Sequence, residues 1–125
     1  MARMSRNKGK VGEREVAALL RGHGFDGARG VQYQGGRDSA DVVGLPGFHI
    51  EVKRAETFSA YKALEQAETD SGGEGTPVVF HRSNSRQWIV VMDAGDFLDL
   101  VARVVPRAPP SKADSPRRFV AENSR

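Results

Sequence analysis

The chain has 125 residues, of which 38% are apolar, which suits one compact domain and leaves little room for a second. It contains no cysteine, which excludes disulfides and thiolate metal sites, and no apolar run approaches the roughly 20 residues of a membrane span. The net charge is +3, but residues 1–10 hold four bases and no acid, residues 106–125 five bases and two acids, and the middle ten bases and fourteen acids.

Basic ends on an acidic middle have two interpretations. The termini either are solvated segments that aid solubility, or contact nucleic-acid phosphates while the middle gathers carboxylates around a cation. No apolar stretch follows the basic N-terminus, so we expect no signal peptide. Together with the missing cysteine, this agrees with a reducing, cytoplasmic location.

The first half of the chain predicts one helix and three strands. Residues 1–8 are predicted to be a flexible basic arm, and VGEREVAALLRGHGF a helix that ends at Gly22 and Gly24. ARGVQY predicts a short strand, and the following QGGRDSA a mobile loop. DVVGL and FHIEVKRA predict two more strands, joined by a turn at residues 45–47.

The second half predicts a helix, two strands and a last helix. These are TFSAYKALEQAETD with Thr57 or Ser59 as its N-cap, TPVVFHRS, RQWIVVM, and AGDFLDLVARVV with Asp93 or Asp96 as its N-cap. Residues 106–125 are rich in proline, serine and charge and predict a disordered tail, which leaves one folded domain over residues 9–105. The order predicts an α/β fold, a central mixed five-stranded sheet flanked by helices. The predicted core includes Trp88, Phe97 and Leu100.

The segment HIEVKR places an acid and a base on one face of its strand. Side chains alternate along a strand, so Glu51 and Lys53 share one face, while Ile50 and Val52 share the other. Taken alone, this pattern describes an amphipathic strand with a solvated ion pair. His49 has the same parity as the charged pair, and a histidine at a strand edge is most often structural.

Asp41 makes a cation site the sharper interpretation. If residues 45–47 form a three-residue hairpin loop with Gly47 in the left-handed position, Asp41 lies opposite Glu51. Two opposed carboxylates destabilise a sheet unless a cation lies between them. A two-residue turn would instead put Asp41 opposite Val52, on the wrong face.

Glu13 is a candidate third carboxylate. On a helical wheel it lies beside Val16, Ala17 and Leu20, whereas Glu15 points toward solvent. Acids that lean inward are rare unless they are paired or bind a metal. The alternative is an acid near a helix N-terminus, where the helix dipole favours it.

These residues carry a resemblance to a nuclease superfamily. Asp41, followed ten residues later by Glu51-Val52-Lys53, resembles the bipartite PD-(D/E)xK signature. KGKVGER resembles the KGxxxER helix start of archaeal Holliday-junction resolvases, and DVVGLPGFHIEVKR with TPVVFHR resembles phage resolvase-like proteins. The resemblance covers roughly residues 8–100 and implies a restriction-endonuclease-like core. It departs from the family at Ala40, where a proline that is not a ligand is usual.

The resemblance implies a metal-dependent, structure-selective DNA endonuclease of the Holliday-junction resolvase type. Asp41, Glu51 and the Val52 carbonyl would hold Mg²⁺ or Mn²⁺, and Glu13 would bind through water or a second ion. Lys53 would orient the attacking water or steady charge on the phosphate. The implied partner is branched DNA such as a four-way junction, with no membrane. Two symmetric cuts imply a homodimer, and the implied setting is the cytoplasm of a bacterial or phage-infected cell.

Seven basic or polar residues are candidate DNA contacts. Most are cations suited to phosphates, one is a loop hydroxyl, and one is a helical glutamine of the kind the superfamily places beside its site. They are Arg29, Arg37, Ser39, Arg54, Lys62, Gln66 and Arg82.

Two other classes of function remain open. The first is a non-catalytic DNA-binding module on the same fold, which the intact set of three acids and Lys53 disfavours, since a dead site has no reason to keep clustered acids. The second is an interaction protein whose acidic helix binds a partner, which the basic termini disfavour.

Overall fold

The structure is a computed structural model that describes residues 2–31 and 40–109. Within these residues the helices and strands follow the predicted order. They are α1 Ala2–Gly22, β1 Ala28–Arg29, β2 Val42–Val43, β3 Phe48–Arg54, α2 Ala60–Ser71, β4 Thr76–Arg82, β5 Ile89–Val91 and α3 Ala94–Val101. α1 to β5 belong to one compact unit that ends at Met92, and α3 to a second that begins at Asp93, so this boundary lies inside the domain predicted over residues 9–105.

The described strands form one mixed sheet in chain order, β1-β2-β3-β4-β5. The β3–β4 pair is parallel, and the other neighbouring pairs are antiparallel. A parallel pair needs a long crossover connection, which α2 supplies. The predicted α/β class with a central mixed five-stranded sheet is confirmed.

The two faces of the sheet pack against different helices. On one face, β-strand residues with even numbers, such as Ile50 and Val52, form a core with Val16, Ala17 and Leu20 of α1. On the other face, the odd-numbered Val79 packs against Ala63 and Ala67 of α2. Because side chains alternate along β3, the odd-numbered Glu51 and Lys53 lie on the α2 face.

The turn between β2 and β3 determines which of their residues lie side by side. Phe48 N–H donates to the Leu45 carbonyl at 3.2 Å, and Gly47 has φ 88°, as a tight turn with glycine at its third position requires. This bond closes a turn with only two central residues, 46 and 47, which by itself would put Asp41 opposite Val52. Val42 nevertheless pairs with Ile50, which is the register predicted for a three-residue loop. Gly44, with φ 109°, lies between the turn and this pair and takes up the extra residue, as in a β-bulge.

Two predictions about the ends of the chain differ from the structure. The α1 backbone is helical from Ala2, so most of the segment predicted to be an arm over residues 1–8 is helix, consistent with the good helix formers alanine, arginine, methionine and lysine there. Phe97, predicted to be core, is 52% exposed, and the eight residues of α3 include no buried one. Trp88 does pack against the α1-face core.

Two other predictions concern caps and membranes. The N-cap of α3 is Asp93, whose side chain accepts from the Asp96 N–H at 3.0 Å. Of the two residues predicted as this cap, Asp93 is therefore the correct one. Among the described residues, no helix is both long enough and apolar enough to cross a membrane.

Candidate active site

Asp41 contacts β3 on both sides of Glu51. Its N–H donates to the Ile50 carbonyl at 2.9 Å, and its Oδ2 accepts from the Val52 N–H at 2.8 Å. Its carboxyl group is also hydrogen-bonded to that of Glu51. The two acids predicted to face each other are therefore neighbours, and a proton on one of them relieves the repulsion between their charges when no cation does.

Glu51 is a buried acid that holds this proton. Only 5% of the residue is exposed. Burial is the main reason that the pKa of Glu51 is raised to about 8; the charge of Asp41, the hydrogen bond to it and the charge of Asp70 act in the same direction, while Lys53 opposes them. A group that binds a proton this strongly between two carboxyls is also suited to bind a cation there once the proton leaves.

Helix α2 follows β3 and lines the same face with polar groups. Lys53 Nζ donates to Gln66 Oε1 at 3.3 Å. One helical turn later Asp70 is near enough to raise the pKa of Glu51. Gln66, predicted from the resemblance, therefore lies beside Lys53, and Asp70 is a neighbour that sequence reasoning missed. Its signal was the i, i+4 spacing from Gln66.

His81 of β4 supports the backbone at Lys53. The two residues pair in the parallel register, and His81 Nδ1 lies 2.9 Å from the Lys53 carbonyl. A carbonyl only accepts, so Nδ1 carries the hydrogen. The Phe58 ring stacks on the imidazole with 3.8 Å between centroids and 6° between planes. The strand that carries Lys53 is thus braced from its neighbour.

The donor set on this face fits a hard divalent cation in part. Asp41 and Glu51 supply carboxylate oxygens. In a strand, the N–H and C=O of one residue point toward the same neighbouring strand, so the Val52 carbonyl faces the side on which its N–H binds Asp41. Such oxygen ligands suit Mg²⁺, which keeps several waters. Within the described residues, however, no three His, Asp or Glu side chains are arranged to hold a metal.

Glu13, predicted as the third acid, is bonded elsewhere. Its Oε1 accepts from Arg29 Nε at 3.0 Å, and its side chain is 20% exposed. The reason is the position of α1, which packs on the sheet face opposite to Glu51. Arg29 pairs with Val42, whose side chain faces α1. The predicted metal ligand and a predicted phosphate contact are thus bonded to each other.

Glu15, predicted to point into solvent, contacts the sheet. Its Oε1 accepts from Trp88 Nε1 at 3.0 Å and lies 3.5 Å from Arg82 Nε. Arg82 also lies over the Trp88 ring, 5.9 Å from its centroid. The predicted order of exposure is correct, since the Glu15 side chain is 36% exposed and that of Glu13 20%. The helical wheel could not show that Trp88 and Arg82, distant in sequence, lie within reach of Glu15.

The predicted DNA contacts differ in how far they are already paired. Arg54 donates to Asn84 Oδ1 at 2.7 Å and to Glu56 Oε2 at 3.4 Å, and Arg82 is paired as above. Lys62 is exposed on α2. Arg37 and Ser39 lie outside the described residues.

A basic cleft opens at the turn that joins β4 to β5. Its volume is 410 Å³, and the residues that line it are His81, Arg82, Ser83, Ser85, Arg86, Gln87 and Ile89. These side chains bring cations and hydroxyl donors and no carboxylate, so the cleft is chemically suited to phosphate oxygens.

The mixed sheet, the crossover helix and the acidic pair followed by lysine define a nuclease core of the restriction-endonuclease-like class. The chain matches the family described as archaeal Holliday junction resolvase (Hjc) over residues 4–91, well over half its length, and it belongs to this family. The resemblance in the sequence is thereby confirmed, and the family gives the chain the nuclease function of a resolvase. No curated protein and no solved structure matches it.

Proposed function

We propose that this protein is a divalent-metal-dependent endonuclease that selects branched DNA, above all four-way junctions, and cuts it as a homodimer. The single observation that supports this best is the direct contact between Asp41 and Glu51, on the face that also presents Lys53. A protein that only binds DNA would gain nothing from a buried acid, Glu51, placed against a second, partly buried one, Asp41.

Asp41, Glu51 and the Val52 carbonyl would hold Mg²⁺ or Mn²⁺. When bound, the ion supplies Lewis-acid stabilisation of charge on the scissile phosphate. On binding, this cation would replace the proton at the Asp41 and Glu51 carboxyl groups. Glu13 would act at longer range, through water or a second ion, because Arg29 occupies its Oε1.

Lys53 places a cation beside the acidic pair. Gln66 accepts one of its ammonium hydrogens and so restricts the side chain to this face. The two remaining hydrogens are available to orient an attacking water or to stabilise the charge that develops on the phosphate. We expect hydrolysis to leave a 5′-phosphate, as is usual for the superfamily that the sequence resembles.

The partner and the assembly follow from the substrate. A four-way junction presents two equivalent strands, so paired symmetric cuts require two copies of the site related by a twofold axis. The candidate phosphate contacts are Arg29, Arg54, Lys62, Arg82 and the cleft at the β4–β5 turn, with Arg37 and Ser39 from the part of the chain that the structure does not describe. We place the activity in the cytoplasm of a bacterial or phage-infected cell.

The test is cleavage of a labelled four-way junction, a duplex and a single strand, each with Mg²⁺ and with EDTA. We expect junction cleavage with Mg²⁺ only. Asp41→Asn and Lys53→Met should each lower the cleavage rate by about 10²-fold or more, because each removes a charge that acts in the transition state. Junction binding should persist in both variants.

Glu68→Gln is the matched control, since it replaces an exposed carboxylate of α2 by an amide away from Gln66 and Asp70. It should cleave like the wild type. Cleavage that survives EDTA, or that Asp41→Asn leaves unchanged, would refute the proposed chemistry. Junction binding by the wild type without any cleavage would favour the DNA-binding module instead.

A further inference from the structure

His49 is a buried polar residue that neither the family match nor the mechanism above explains. It is 5% exposed, and its Nε2 lies 2.7 Å from Glu51 Oε2, whose side chain is equally buried. Both residues lie on the α2 face of β3, two positions apart. A contact this short between two buried polar side chains orients both of them.

The Glu51 carboxyl group has two hydrogen-bond partners. His49 contacts Oε2, and Asp41 provides the second hydrogen bond to the same carboxyl group. An ionised carboxylate only accepts hydrogen bonds, so in the cation-binding form the imidazole must donate from Nε2. This bond survives when a cation replaces the proton shared with Asp41, whereas the bond between the two acids does not.

We propose that His49 is a positioning residue that fixes the Glu51 carboxylate in the orientation that binds the divalent cation. The inference rests on the proposed metal-dependent function and adds one residue to it. Hydrogen-bonded partners of ligating carboxylates commonly contribute 10- to 100-fold in metal affinity, about the effect expected here.

The surroundings of His49 allow this role to be separated from packing. The ring lines a cleft of 240 Å³ together with Ala40, Ser71, Gly72 and Glu74, so a flexible side chain fits in its place. A glutamine at this position carries an N–H donor about as far along the side chain as imidazole Nε2. An asparagine is one carbon shorter and reaches only the level of Nδ1. The glutamine and asparagine variants therefore have the same polar group and differ in whether its N–H donor reaches Glu51.

The experiment measures Mn²⁺ binding to metal-free protein by calorimetry, at one pH, for the wild type, His49→Gln, His49→Asn and His49→Ala. Ser71→Ala is the control, because Ser71 is buried in the same cleft but bonds to the Glu68 carbonyl and the Gly73 N–H. We expect His49→Asn and His49→Ala to weaken Mn²⁺ binding by about 10- to 100-fold and His49→Gln to stay within a few-fold of the wild type. Ser71→Ala should bind normally.

Cleavage kinetics give a second readout. His49→Asn should need a higher Mn²⁺ concentration for half-maximal rate and recover most of the wild-type rate at saturating metal. If His49→Ala does not fold, the comparison of His49→Gln with His49→Asn decides alone. Equal affinities in those two variants would overturn the inference while leaving the proposed function intact. A wild type that binds no Mn²⁺ would overturn both.

Discussion

Asp41 and Glu51 are side chains that a sheet would ordinarily keep apart. Opposed carboxylates repel each other, and Glu51 is in addition removed from water. A proton on Glu51, whose pKa is raised to about 8, removes this repulsion, and a cation in its place would do the same. The same pair that costs the fold stability would supply the affinity for the divalent ion that we propose.

A first prediction follows from the pKa of Glu51, which the fold raises from 4.5 to about 8. Between these values the folded protein holds a proton that the unfolded chain releases, so the free energy of unfolding falls as pH rises. Urea unfolding in EDTA should show the wild type losing stability between pH 4.5 and pH 8. Glu51→Gln should lose less across the same range, and Glu68→Gln should follow the wild type. Identical pH slopes for the wild type and Glu51→Gln would contradict the buried, protonated acid.

A second prediction concerns Glu13, which the resemblance suggested as a site acid acting through water or a second ion and which the structure pairs with Arg29. Glu13→Gln should reduce cleavage by about tenfold, against about 10²-fold for Asp41→Asn, because Glu13 would act only at longer range. Arg29→Gln serves as the companion variant, since it frees Glu13 without removing it. If Glu13→Gln were as inactive as Asp41→Asn, Glu13 would have to leave Arg29 and bind the ion directly during the reaction.

At the scale of elements, the hairpin of β2 and β3 shows what sequence reasoning can and cannot predict. The register was predicted from a three-residue loop with Gly47 in the left-handed position, and it is confirmed although the turn itself has two residues, because the bulge at Gly44 supplies the extra one. The bulge at Gly44 could not be predicted, because its cause is a distant neighbour. A Cβ on Gly44 would lie 2.0 Å from the Asp26 carbonyl oxygen.

A third prediction compares these two glycines. Both have positive φ, but a Cβ on Gly47 would meet none of the described atoms within 4 Å. Gly47→Ala should therefore cost about 1–2 kcal/mol, the backbone term alone. Gly44→Ala should cost more, and should lower Mn²⁺ affinity as well, because the shift moves Asp41 relative to Glu51. Urea unfolding and calorimetry measure the two effects. Equal losses of stability would show that the contact with Asp26 does not constrain the hairpin.

The site also shows where local patterns fail. The helical wheel correctly placed Val16, Ala17 and Leu20 in the core, yet it could not say which face of the sheet α1 covers. That choice separates Glu13 from Glu51. His49 had the parity of the site residues, but only its distance to Glu51 distinguishes an orienting histidine from an ordinary buried one.

At the scale of the whole molecule, the charge distribution is the feature that should govern the proposed DNA binding. The acidic middle contains the carboxylates of the site, while the bases are concentrated near the ends of the sequence. A cation at Asp41 and Glu51 would remove repulsion where the scissile phosphate must approach. Affinity for a junction should therefore depend on salt through many weak phosphate contacts.

A fourth prediction removes residues 110–125, which lie outside the described residues and carry four bases and two acids. The truncated protein should unfold at the wild-type midpoint but bind a junction less tightly at low salt. The slope of log affinity against log salt should shrink by about one unit for each phosphate that the shortened chain no longer reaches. A full-length variant with Lys112, Arg117 and Arg118 changed to glutamine should show the same unfolding midpoint and the same weaker junction binding as the truncated protein. Loss of cooperative unfolding on truncation would show that the segment belongs to the fold.

The hairpin turn has a consequence for how such enzymes can diverge. Because strand side chains alternate, one inserted or deleted residue between Asp41 and Glu51 would turn one acid to the α1 side and abolish the pair while sparing most of the core. Relatives that change the length of this segment should therefore do so in steps of two, or gain a compensating bulge. Odd-length changes without one should mark lineages that have given up catalysis.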